Sequence, residues 1–371
     1  MSGRRLSGLV AVLGVALVTL VMPVAMTDDQ LTVYVYIGLY ALVVVGLSLL
    51  MGFAGQVSLG QGAFFAIGAY GAALLTMRWR FPPVLSLAVA CAGTGALAAL
   101  VGLPLLRLRG HYLAFATLAF QLIVLSAIGQ LPGLTGGDTG LIGIPTLSLG
   151  PIALTGRYRI FAFSYVVWVL LAAALALSWN LIHSRPGRAL RALATSEPGA
   201  LASGIAVGGY KLRVFAFSAA LAGLGGGVFA FFVGYIAPET FPILLSVEFL
   251  LMAAVGGMGS IFGAVAGTVL IYLLLQALQA LGTLPGMPVH APVVFSYAVY
   301  ALTLILILLL LPEGVIPALG RLFAALLERW PAAGREVRPG RVEPHQTPAG
   351  EDVKRGREGT RWPSRRRHGK S

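Results

Sequence analysis

Ten stretches of the chain read as apolar at roughly membrane length: 7–26, 31–51, 57–77, 84–106, 112–131, 160–182, 213–235, 244–257, 260–281 and 291–311. A helix needs about 20 predominantly apolar residues to cross a bilayer. The pattern predicts an all-α polytopic membrane protein of about ten transmembrane helices. The eighth stretch is short and runs into Gly256, Gly257, Met258, Gly259 and Ser260, which leaves it either re-entrant or strongly tilted. Only residues 52–56 separate the second stretch from the third, so one of the two is expected to be broken.

The most informative apolar stretch is also the one richest in glycine, over 46–75. Each interior glycine costs a soluble helix about 1 kcal/mol relative to alanine. In a bilayer, small residues let helix backbones approach closely and hold bundles together. Ser58, Gly62 and Ala66 fall at spacing four, on one stripe of a predicted helix. Gln56, Ser58 and Gln61 add polar groups that hydrocarbon does not tolerate unless other helices or a water-filled path meet them. Gln56, Ser58, Gln61 and Gly62 are therefore expected at the centre of the bundle, as helix-packing or translocation-path residues.

Composition agrees with that pattern. Of 371 residues, 58% are hydrophobic and 11% charged, against about 25% charged in soluble domains. Residues 6–26 follow Arg4 and Arg5 without a clear cleavage site, and are read as a retained first helix. The single cysteine, Cys91, lies in apolar sequence, excludes an intrachain disulfide and reads as a small core residue.

The net charge of +13 is unevenly placed. Beyond residue 311 the chain carries 13 Lys/Arg against 7 Asp/Glu and is rich in Pro, Gly and Arg. We read 1–315 as the transmembrane domain and 316–371 as a basic cytoplasmic tail, disordered beyond about Trp330. Beside a membrane such a tail suits anionic lipid or retention on the cytoplasmic side, and nucleic acid is not expected as a partner. Lys/Arg bias of short loops sets orientation. With the N-terminus inside, inside loops carry Arg107, Arg109, Arg185, Arg188, Arg191, Lys211 and Arg213. Outside loops carry Arg78, Arg80, Arg157 and Arg159, offset by Asp28, Asp29, Asp138 and Glu239. Eight or ten spans keep both termini cytoplasmic. The longest outside loop, 132–159, is too small for a domain and could form a short amphipathic cap.

The inside loop 183–212 is the longest between spans on its side. Arg188 and Arg191 belong to a basic helical piece over 188–194. Thr195 or Ser196 then caps a second short helix, with Glu197 and Pro198 in its first turn, where an acid and a missing N–H both suit the helix start. Gly204 is placed to end it. A short helix lying across one face can dock into a partner's groove. The alternative is a plain basic loop.

This loop and the sequence C-terminal to it resemble the permeases of bacterial branched-chain amino acid ABC importers, in particular the longer of their two permease types. The resemblance rests on Gly187, Arg188, Ala189, Arg191 and Ala192, on the run 196–205 and on Tyr210, Lys211 and Leu212. It continues through Phe217, Ser218 and Ala219, through 222–226, and through Ser246, Val247 and Glu248, to 256–260. In the first half, 46–50 and 55–60 match, followed by Ala63, Phe64, Phe65, Gly68, Ala69 and Tyr70. The family's coupling loop usually has Asn-Glu and then two alanines before its glycine. Here Ser196 replaces that asparagine, Pro198 and Gly199 follow Glu197, and Ala200, Gly204 and Ile205 are kept.

The resemblance implies a type II ABC importer-like permease fold in the bacterial cytoplasmic membrane. It implies a loop helix, carrying Glu197, Ala200, Gly204 and Ile205, that sits in a cleft of an ATPase subunit. It further implies a second permease subunit, two ATP-binding subunits and a periplasmic or lipid-anchored substrate-binding protein. Its substrates are branched-chain amino acids, with urea, short amides and other compounds carried by relatives.

Glu248 is the one acid well inside an apolar stretch, and an intramembrane carboxylate is a functional hypothesis by default. A hydrogen-bonded structural acid, a translocation-path residue and a proton relay all fit it. His111 and His183 flank spans on the inside and read as interfacial. No Cys/His cluster has metal spacing, so neither a metal nor a cofactor is expected. Gly369, Lys370 and Ser371 look like the end of a phosphate loop, but Ser364 stands where that loop needs glycine, so the chain is not expected to hydrolyse ATP itself. An ion-driven secondary transporter is the competing class, and Glu248 is its only support.

Overall fold

The computed structural model describes residues 22–282, apart from 109, 150, 151, 154, 155 and 157, together with 301, 302 and 305. These residues belong to the first of two units into which the chain divides, Met1–Ala325 and Leu326–Ser371. The predicted tail and most of the first and tenth predicted spans lie outside the described residues.

Eight apolar helices form the described part. They are α1 (Asp28–Ala54), α2 (Gln61–Met77), α3 (Pro83–Leu105), α4 (His111–Gln130), and, after the short α5 (Pro132–Thr135), α6 (Arg159–His183). Two short helices follow, α7 (Arg185–Thr195) and α8 (Glu197–Ala202), then α9 (Val207–Val233), α10 (Ile243–Gly256) and α11 (Ile261–Gly282). Seven of the eight apolar helices are long enough to cross a membrane, α10 when counted with the turn before it, and α2 is the shorter exception. Local chemistry sets several boundaries. Asp28 and Asp29 favour the positive end of the α1 dipole, and the Thr27 N–H donates to Gln30 Oε1 at 3.1 Å. Prolines occupy the first turns of α3, α7 and α8, where no backbone donor is lost.

Two boundaries differ from the hydrophobic pattern. The break between α1 and α2 lies at 55–60, so α2 starts at Gln61 and not at 57. Ser58 is therefore not on a helix, and the expected stripe keeps only Gly62 and Ala66. The backbone there finds other partners: Leu59 N–H donates to Thr117 Oγ1 at 2.9 Å and Gly60 N–H to Ser58 Oγ at 3.3 Å. Helix α9 begins at Val207, before the predicted 213, because hydropathy marks where apolar surroundings begin and not where the helix does. Helix α10 agrees with the short eighth stretch to within a residue, and its 14 residues span about 21 Å at 1.5 Å per residue. The loop 132–159 also builds more than a cap. Strand β1 (Leu141–Ile142) pairs antiparallel with β4 (Tyr235–Ile236), and β2 (Ser148–Leu149) with β3 (Ile152–Ala153).

Contacts sort the helix ends into two groups that alternate along the chain. At one end Gly52 packs on Gly259, and Ser48 Oγ donates to Ser260 O at 3.3 Å. At the other, Arg78 reaches Gly133 O at 2.9 Å, and Arg159 donates to Phe232 O. Helices α1 and α9 form the centre: 78% of the membrane window of each is buried, against 28% for α3 and 22% for α4. Apolar side chains of the outer helices, such as Leu100, Phe115 and Ile123, point outward. The centre is closed by aromatic packing of Tyr40, Phe65, Phe229, Phe241 and Phe249. It is closed further by a close crossing of α2 and α9, where a Cβ at Gly68 would fall on the backbone of Gly223.

Candidate functional site

A cluster of buried polar side chains surrounds the start of α2. Gly62 N–H, in the first turn, donates to Ser246 Oγ of α10 at 2.7 Å, and Ser246 Oγ donates to Gln121 Oε1 of α4 at 2.5 Å. Gln121 Nε2 then donates to Pro242 O at 3.2 Å. On the other side Gln61 Nε2 donates to Ser218 Oγ of α9 at 3.1 Å. Three helices thus converge on the start of α2 through side chains that, with Gln61 of α2 itself, are each essentially inaccessible: Gln121, Ser218 and Ser246. The cluster is incompletely satisfied. The amide oxygens of Gln56 and Gln61 are buried and accept no hydrogen bond among the described residues.

Of the residues singled out in the sequence, Gln61 and Gly62 belong to this cluster, while Ser58, bonded to Gly60 N–H, and Gln56 are buried in the break before it. The sequence reading did not foresee that Ser218 bonds Gln61, that Ser246 bonds Gly62 and Gln121, or that Thr117 takes Leu59 N–H. The available signal was a lone polar residue within each apolar stretch. Which of the many such residues meet depends on how the helices cross.

Ser246→Ala is expected to unpair Gly62 N–H and Gln121 Oε1 together. A buried group left unsatisfied costs about 1–3 kcal/mol. Thr268→Ala, which removes only a bond to Ala264 O in its own helix, is expected to cost less. Thermal unfolding in detergent compares them, and equal melting temperatures would show that the cluster does not hold the helices together.

The second predicted site lies at the helix ends beyond α6. Ser196 caps α8 by accepting from Gly199 N–H at 3.2 Å. Gly204, at φ +75°, lets the chain turn out of the helix, and Ile205 N–H returns to Ala200 O at 3.0 Å. Glu197 Oε2 pairs with Lys211 Nζ of α9 at 2.8 Å, which ties the first turn of α8 to the bundle. Ala200 is buried and packs inward; the exposed surface of α8 and its turn is Pro198, Gly199, Leu201, Ala202, Ser203 and Gly204. Leu201, 54% exposed, was not anticipated. Arg188 and Arg191 lie on the exposed face of α7, while Leu190 and Leu193 are buried beneath.

Glu248 stands apart from both groups. It is half-buried on α10, makes no hydrogen bond or ion pair among the described residues, and lies within electrostatic range of Tyr40 and Tyr272. The hydrogen-bonded structural role thus finds no bond there. Cys91 is a free thiol on α3 that donates to Ala220 O at 3.3 Å. No group of metal-ligating side chains occurs among the described residues.

These features define a polytopic helical membrane protein built around a glycine-lined polar centre. The chain belongs to the branched-chain amino acid transport system permease component family, whose pattern matches residues 30–308. It is 34% identical over 258 residues to the high-affinity branched-chain amino acid transport system permease protein LivM of Escherichia coli K12, covering 63% of this chain and 60% of that one. To the corresponding LivH protein of Salmonella typhimurium it is 28% identical over 293 residues, covering 75% and 91%. To a probable LivM permease of Methanocaldococcus jannaschii it is 26% identical over 221 residues, covering 58% and 62%. The chain spans about 60% of the length of the Escherichia coli LivM relative. No solved structure matches it.

Proposed function

We propose that this chain is the membrane-spanning permease subunit of an ATP-driven importer for branched-chain amino acids or a related small solute. Residues 1–315 form the translocation domain and 316–371 a cytoplasmic tail, with both termini on the cytoplasmic side of the bacterial inner membrane. ATP is hydrolysed by two separate subunits. A second permease subunit completes the path, and a substrate-binding protein delivers the solute. The observation that carries this reading is the interrupted α1–α2 segment at the centre of a chain of this family. Irregular backbone at membrane depth is tolerated only where protein buries it or where it lines a cavity. Gln56 and Gln61 beside that break place polar side chains at the centre, which hydrocarbon does not tolerate and which a polar path would use.

Residues 196–205 are the coupling element in this scheme. Glu197 and Lys211 hold α8 against the bundle, and its exposed end meets the ATPase. Proteoliposomes containing this chain, a second permease and the ATP-binding subunits, with binding protein and labelled leucine, test the proposal. Uptake is expected only with all components and ATP, and the purified chain alone is expected to show neither uptake nor ATPase activity. Sustained uptake by the chain alone would overturn the importer reading in favour of an ion-driven carrier.

A further inference from the structure

Where α6 ends and α7 turns back, a crevice of about 400 Å³ opens between α6, α7 and α9. Its walls are mainly apolar, with Leu177, Leu181, Leu190 and Phe217 among them, and also take in Asn180 and Ser184. Its mouth is polar, with Arg213 and Tyr210 together and the guanidinium 5.7 Å from the ring centre. Leu177 is 57% exposed, so one wall opens sideways, on the side where the apolar helix faces point outward. Arg213 is exposed and sits where the apolar run 213–235 begins. Its charge has no acidic partner among the described residues. Glu197, the acid of the same loop, is taken by Lys211. Helix α7, which roofs the crevice with Leu190, shows an exposed basic face of Arg185, Arg188 and Arg191. A helix with a buried apolar stripe and a basic outer face is the pattern of an interfacial helix drawn to anionic lipid.

We propose that this crevice holds one anionic phospholipid, an acyl chain against Leu177, Leu181, Leu190 and Phe217 and the phosphodiester against Arg213. One molecule of this kind satisfies both halves of the site. An apolar helix of a neighbouring protein fills the walls but leaves the guanidinium uncompensated, and a free phosphate leaves the walls bare. Because α7 leads directly into α8, the lipid braces the helix pair against α6 and α9. Binding is a property of the isolated chain, so its failure leaves the transport reading untouched.

The test uses the full chain, delipidated in detergent and titrated with phosphatidylglycerol or with phosphatidylcholine of the same acyl chains, read by native mass spectrometry and thermal shift. Preferential binding of one phosphatidylglycerol is expected. Arg213→Gln is expected to weaken it about tenfold, the loss of one hydrogen bond to a charged group. Leu177→Trp, which fills the crevice, is expected to weaken both lipids. Arg107→Gln, an equal charge change at the same end of the bundle but outside the crevice, is expected to leave binding as it is. Melting temperatures without lipid check that the variants fold. An equal loss in Arg107→Gln, unchanged binding in Arg213→Gln, or equal stabilisation by glycerol phosphate without acyl chains would each overturn the proposal. So would cross-linking of Leu177→Cys to a second permease subunit in the assembled complex.

Discussion

Gly68→Leu is expected to remove the protein from the membrane fraction, and Gly93→Leu to leave it there. Both glycines lie in apolar helices, α2 and α3. A Cβ at Gly68 would occupy the position of Gly223 backbone atoms, and backbone cannot rotate away as a side chain can. Helices α2 and α9 would have to separate at the crossing that closes the centre. Overpacking a core typically costs about 1–3 kcal/mol and occasionally more. A backbone clash belongs at the upper end, and it also opens the bonds from Gln61 to Ser218 and from Gly62 to Ser246. At Gly93 nothing lies within 4 Å of the added Cβ. Leucine there is outward-facing and improves helix propensity by about 1 kcal/mol. Membrane levels by immunoblot and unfolding in detergent measure both. Wild-type levels and melting temperature in Gly68→Leu would mean that α2 and α9 do not cross as described.

What was legible in the sequence divides along one physical line. Apolar run length reports where lipid surrounds the chain, so α3, α4, α6 and α11 were placed to within about a residue or two. Capping chemistry is local, so the short helix behind Ser196 and its end at Gly204 were legible too. The run length does not report where backbone hydrogen bonds go. Ser58 is as compatible with a helix as with the turn it makes, and Thr117, far along the chain on α4, decides the matter by taking Leu59 N–H. Helix α9 runs on past Lys211 because nothing stops a helix where lipid stops. Small residues such as Ala200 suit both an interface and a core, and only the fold puts Ala200 against the bundle. The strand pair joining residues 141 and 236 has two residues a side and no pattern of its own.

Glu197→Arg and Gly204→Arg are expected to uncouple transport while leaving the bundle in the membrane. The two changes act differently on α8. Arg at 197 places a cation beside Lys211, in the first turn where the helix dipole favours an acid. The pair is part-exposed, at 15% for Lys211 and 34% for Glu197, and exposed pairs contribute at most about 1 kcal/mol. The bundle therefore stays folded, but α8 loses the tie that fixes its direction. Arg at 204 meets no neighbour, yet it must adopt φ near +75°, at roughly 1–2 kcal/mol for a residue with a Cβ. It also adds bulk beside the exposed Leu201, on the face proposed to meet the ATPase. Each variant is expected to keep near wild-type membrane levels and to lose about tenfold in ATP-dependent uptake, in the usual range of coupling between sites. Asp138→Arg, an exposed reversal at the opposite end, is expected to leave uptake intact. Glu197→Lys combined with Lys211→Glu restores an ion pair with its ends exchanged. If the pair acts by orienting α8, the exchange recovers part of the uptake; if Glu197 itself contacts the ATPase, it recovers none. Normal uptake in both single variants, with a defect in Asp138→Arg, would remove the coupling role from residues 196–205.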